Sequence, residues 1–120
     1  MANEVKITTS YSFNDNGASF AGSSSFNYSI TGVNAIGLVQ SLNSGQCAAL
    51  NFIGLADVRY LYLKNQSATG NAYLSLNSGQ TQVFSILHPN ESLAMPYVST
   101  GLWASGQGGA VDLQICANES

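Results

Sequence analysis

The stretch EVKITTSYSF at residues 4–13 alternates. Val5, Ile7, Thr9, Tyr11 and Phe13 share one parity, and Glu4, Lys6, Thr8, Ser10 and Ser12 share the other. A period of two held over ten residues describes a strand with one apolar face; a helix, with its period of 3.6, would scatter these residues around its surface. The same period governs most of the chain. After Asn14-Asp15-Asn16-Gly17, which reads as a hairpin turn with Asn16-Gly17 suited to positive φ, Ala18, Phe20, Phe26, Tyr28 and Ile30 fall on one face of the next segment. Gly22 and the serines after it predict a bulge or a break in that strand. The first 31 residues therefore predict a two-stranded ribbon, apolar on one side, ahead of a body spanning 35–120.

In the body, AIGLVQSL, VRYLYLKN, NAYLSLN, TQVFSIL, LAMPYV, LWAS and AVDLQICA read as short strands separated by Gly, Pro and Asn turns. VRYLYLKN carries apolar residues on both faces and predicts a central strand buried on both sides. AVDLQICA turns Val111, Leu113 and Ile115 inward. No segment has a helical pattern; Gln46–Ile53 comes nearest and is read as strand or turn. About eight strands with turn signals every 8–12 residues predict an antiparallel β-sandwich, jelly-roll-like, with the N-terminal ribbon attached.

The hexapeptide SLNSGQ occurs at 41–46 and again at 75–80. Its flanks share almost no apolar spacing, so a duplicated module is disfavoured. Asn43-Ser44-Gly45 and Asn77-Ser78-Gly79 predict two hairpin loops, each with glycine in the left-handed position and with Leu42 or Leu76 ending the incoming strand.

Only 8% of residues are charged, and the net charge is −3. Lys6, Arg59 and Lys64 are too few and too scattered to neutralise phosphates, which argues against nucleic acid as a partner. No basic stretch suits an anionic membrane, no apolar run reaches membrane-spanning length, and no signal-peptide core is expected at the N-terminus. A polar, weakly charged surface repels neighbours little and suits packing against copies of itself or a partner. Cys47 and Cys116 read as small buried thiols rather than as a disulfide, and no zinc spacing is present. The four N-x-S triplets, beginning at Asn27, Asn65, Asn90 and Asn118, are a consequence of composition.

Little in the chain points to catalysis, and no catalytic, cofactor or metal residue is assigned. His88 is the one histidine and precedes Pro89 in a loop. Combining it with Asp57 or Asp112 and any of many serines carries no information. Glu91 with Asp57 or Asp112 as an acid pair is equally unspecific. Asn14-Asp15-Asn16 is explained by a turn without calcium. Among the aromatics, Tyr97 and Trp103 would be the sugar platform if the chain were a carbohydrate-binding module; core or subunit contact is the preferred reading.

The order of these elements resembles a pattern in small structural proteins of tailed bacteriophages. It is carried by Leu61-Tyr62-Leu63-Lys64-Asn65, by Leu87-His88-Pro89-Asn90-Glu91-Ser92, by Leu102-Trp103-Ala104 and by Ala110-Val111-Asp112-Leu113. Phe26-Asn27-Tyr28-Ser29-Ile30-Thr31-Gly32 and Asn34-Ala35-Ile36 extend it into the N-terminal half. The chain departs at Asn90, where the pattern has glycine, but asparagine also tolerates positive φ. The resemblance implies a non-enzymatic virion protein without cofactor, a head decoration (cement) component made in the host cytoplasm. Its partners would be the major capsid protein and its own copies, with a trimer as the expected assembly. A head–tail or tail component and a host-adhesion module are the alternatives. The ribbon residues Val5, Ile7, Tyr11, Phe13, Phe20, Phe26 and Tyr28 would form the interface.

Overall fold

A computed structural model describes residues 4–15, 17–29, 35–52, 55, 58–96 and 101–118. Among them the protein is all-β, with ten antiparallel strands and no helix. Two compact units divide the chain, Met1–Gly32 and Val33–Ser120.

The first unit is a two-stranded sheet of β1 (Glu4–Asp15) and β2 (Ala18–Ser29). Asp15 pairs with Ala18, so Asn16-Gly17 is a two-residue hairpin loop, with Gly17 at φ 84°. The register then runs without interruption from Asn14↔Ser19 to Glu4↔Ser29. The bulge expected at Gly22 does not form: Gly22 simply pairs with Tyr11. A serine run without bulky side chains fits the pleat as well as any other residues, and a break needs an extra residue that this strand lacks.

The second unit holds two four-stranded sheets. One has the order β3 (Ala35–Leu42), β10 (Val111–Asn118), β5 (Tyr60–Asn65), β8 (Ser92–Pro96). The other has the order β4 (Cys47–Ala49), β9 (Trp103–Gln107), β6 (Asn71–Ser75), β7 (Val83–Leu87). Successive strands change sheet at every step except β6 to β7, which are a hairpin.

One core joins the sheets into a β-sandwich. In the first sheet, register aligns Leu38, Ile115, Leu63 and Leu93 in one row and Ile36, Ala117, Leu61 and Met95 in another. The second sheet answers with small residues, Ala48, Ala104 and Ala72, beside Leu74 and Leu87. Large side chains against small ones let the two layers interdigitate at interior density. Each fully buried leucine contributes about 2 kcal/mol of transfer free energy.

β5 lies in the interior of its sheet, as its apolar content predicts, but only one of its faces is fully buried. Leu61 and Leu63 are sealed, while Tyr60, Tyr62 and Lys64 are half-buried on the outer face. Tyrosine gives an outer face enough apolar area to look like core in a sequence while its hydroxyl keeps access to water. Cys47 and Cys116 are free thiols on strands of different sheets and are half-buried, not buried as expected. They pair across their sheets with Ser105 and with Gly37 and Tyr62, on outward-facing rows.

Candidate interaction surface

The ribbon register brings the predicted interface positions together. Val5 pairs with Tyr28, Ile7 with Phe26, Phe13 with Phe20, and directly paired positions share a face of a sheet. Ile7 is half-buried and Tyr11 is 68% exposed. The side chains of Val5, Phe13, Phe20, Phe26 and Tyr28 lie outside the described residues. On the polar face the Thr8 and Ser25 hydroxyls lie 3.4 Å apart.

A second apolar surface went unread in the sequence. Edge strand β7 exposes Val83, Phe84 and Ile86, and Leu76 in the loop before it is 52% exposed. Phe84 and Ile86 share the outer face with Tyr73, the cross-strand partner of Ile86. The signal was present as the apolar run VFSIL, but a run alone does not tell an edge strand from a central one.

The two hexapeptides are turns, as expected, but only one is a hairpin. In both, the glutamine N–H donates to the asparagine carbonyl at 3.3 Å, from Gln46 to Asn43 and from Gln80 to Asn77. The second joins β6 to β7 within one sheet, whereas the first carries the chain from β3 to β4 in the opposite sheet. Gly45 takes positive φ at 75°, but in the second copy Gln80, not Gly79, is left-handed, at φ 57°. The flanking residues also exchange fates. Leu42 is buried and Ser41 exposed, donating from Oγ to Asp112 Oδ1 at 2.9 Å; Leu76 is exposed and Ser75 buried, its Oγ 2.9 Å from Asn77 Oδ1. Gln80 folds back over the sheet. Its Oε1 accepts from Ser105 Oγ at 3.0 Å, and its Nε2 lies 3.2 Å from Cys47 Sγ.

Asn65 is the buried hub of the β5–β8 end of the fold. Its side-chain amide donates to the carbonyls of Gly70 at 2.8 Å and Leu87 at 2.9 Å. Its Oδ1 accepts from the Ser67 N–H at 2.9 Å and the Ser67 hydroxyl at 2.6 Å. Its backbone N–H donates to Glu91 at 3.0 Å, and its carbonyl accepts from Asn90 N–H at 2.9 Å. One side chain thus ties the loop after β5 to the end of β7, and its backbone holds the β7–β8 loop. In that loop Asn90 is left-handed at φ 67°, the conformation expected where the phage pattern has glycine. Gln40 is a second polar tie: it donates to Ala49 carbonyl at 3.0 Å and accepts from Asn51 N–H at 2.9 Å.

The residues weighed for chemistry do not converge. His88 is exposed; its N–H donates to Glu91 Oε1 at 2.7 Å, and its Nδ1 lies 2.8 Å from the same oxygen. Those hydrogen bonds, backbone first, hold the Glu91 carboxyl below its ordinary pKa. Asp112 is engaged with Ser41 on β10, and Asp57 lies outside the described residues. Among the described residues no three His, Cys, Asp or Glu side chains gather where they could hold a metal. Trp103 is half-buried on β9, and Tyr97 lies outside the described residues. No protein-family model matches this chain, and neither a curated protein nor a solved structure matches it.

Proposed function

We propose that this chain is a non-enzymatic structural protein of a phage virion, a capsid decoration protein that binds the outer head shell and stabilises it through subunit contacts. The observation that carries the reading is the ribbon. β1 and β2 make a sheet of two strands with no third. Such a ribbon is marginal alone in water, and an apolar face on it calls for a cover supplied by another surface. The strand order β3-β10-β5-β8 against β4-β9-β6-β7 supports the jelly-roll part of the reading, an architecture common in viral shells.

The mechanism is interfacial. Apolar area buried against the major capsid protein contributes about 25 cal/mol per Å². Modest contacts repeated over a shell then resist internal pressure through multivalency. Purified chain mixed with phage heads that lack it is the test, read by co-sedimentation and electron microscopy. Regular occupancy of the head surface is expected, and deletion of residues 2–17 abolishes it. Heads that stay bare with the intact chain refute the decoration role; full occupancy by the deletion variant refutes the role of the ribbon.

A further inference from the structure

The body of the protein has four sheet edges, and three of them are blunted. Strand β4 has three residues, β8 ends in Pro96, and both are short for templating another strand. Strand β3 is longer, but its outer face carries a single exposed apolar residue, Val39, between Gly37 and Ser41. Strand β7 has none of these protections. Val83–Leu87 contains no charge and no proline, and its only irregularity is a register shift opposite Leu74/Ser75 at its start. It also holds three of the exposed large apolar side chains, Val83 at 38%, Phe84 at 40% and Ile86 at 40%.

We infer that β7 is a self-association edge, pairing antiparallel with β7 of a second copy about a two-fold axis through Ser85. That register sets Phe84 opposite Ile86 of the second copy and Val83 opposite Leu87, and the same contacts repeat by symmetry. Aromatic against β-branched is a favourable cross-strand pairing. The outer faces of both sheets then join, with Tyr73 of each copy flanking a continuous apolar stripe. Charge selects the antiparallel arrangement and a second copy of this chain. The nearest charged side chain along the strand, Glu91, lies six residues beyond Ser85. Two-fold pairing sends the two Glu91 carboxylates to opposite ends of the joined strands, each beside the uncharged 76–82 loop of the other copy. A parallel pairing would set them side by side.

A five-residue strand pair buries less area than a standard permanent interface, so the dimer is weak in dilute solution. Its test is sedimentation velocity on the full chain from low to high micromolar concentration. A monomer–dimer equilibrium is expected. Phe84→Lys and Ile86→Glu should each raise the dimer Kd about tenfold or more, by removing two symmetric apolar pairs. The double substitution Phe84→Lys with Ile86→Glu should recover most of that loss, because the register sets the introduced ammonium opposite the introduced carboxylate of the other copy. Circular dichroism checks that these exposed positions leave the fold intact. A chain that stays monomeric throughout, or a double variant as weak as the worse single one, overturns the proposal. So does a dimer that ignores both single changes but disappears when residues 2–17 are deleted, which would assign the contact to the ribbon. The inference is independent of the virion reading: a chain that dimerises through β7 and never binds heads keeps one and loses the other.

Discussion

Truncating Asn65 to alanine should be the most damaging single polar change in the body. The side chain is fully buried and makes four hydrogen bonds, two donated and two accepted. Ser67 is half-buried and recovers water on losing its partner. The Gly70 and Leu87 carbonyls belong to buried residues and have no such replacement. Two stranded acceptors at roughly 1–3 kcal/mol each, with a small cavity in addition, give a loss of about 4 kcal/mol. Against a total of ~5–15 kcal/mol for a domain, that is a large fraction. Urea unfolding followed by circular dichroism is the assay. For an m-value of ~2 kcal/mol/M the midpoint falls by about 2 M with m unchanged, and the thermal midpoint falls by roughly 15–30 °C. Asn65→Asp is the informative companion. It keeps the shape and the acceptor oxygen but turns a donor against two carbonyl oxygens. Proton uptake relieves that repulsion, so its folded-state pKa is raised. Its stability should be greatest below the ordinary carboxylate pKa and fall as pH rises through the folded value. A loss under about 1 kcal/mol for Asn65→Ala, the size of a surface substitution, would refute the hub.

The twin turns offer a test on identical sequence: Gly45→Ala, at φ 75°, should lose about 1 kcal/mol, whereas Gly79→Ala should be neutral within roughly 0.5 kcal/mol, both read by thermal unfolding. At Asn90, with φ 67°, glycine should be tolerated within about 0.5 kcal/mol, and valine should cost roughly 1–2 kcal/mol in the same assay. The lowered pKa of Glu91, set by its bonds to His88, means that its contribution is present above the ordinary carboxylate value and is lost as pH falls through the lowered one. Glu91→Gln should flatten that part of the acid-unfolding profile; an unchanged slope would show that the contact with His88 does not persist in solution.

Much of the architecture follows from parity and turn chemistry. The alternation in β1 and β2 with Asn16-Gly17 between them is enough to set a ribbon and its register, because a period of two admits one facing and a two-residue loop admits one pairing. The inward row Val111, Leu113 and Ile115 of β10 is read in the same way. Other features resist this. The apolar tyrosines of β5 resemble core until the opposite sheet is seen to cover only Leu61 and Leu63. Asn65 looks like any polar strand end until the folded chain brings the Gly70 and Leu87 carbonyls to it, from positions 5 and 22 residues away. The apolar run in β7 is exposed because no strand lies beyond it, a fact of sheet order.

The repeated hexapeptide divides the two kinds of information. By itself the sequence determined that SLNSGQ reverses the chain, because the Asn-to-Gln hydrogen bond and the left-handed residue at the end of the turn are local. Only the tertiary structure decided that one copy closes a hairpin while the other crosses between sheets, and that Leu42 is core while Leu76 meets solvent. A turn sets how the chain bends over a few residues, whereas the strand that receives it is chosen by pairing and burial with segments far away in sequence.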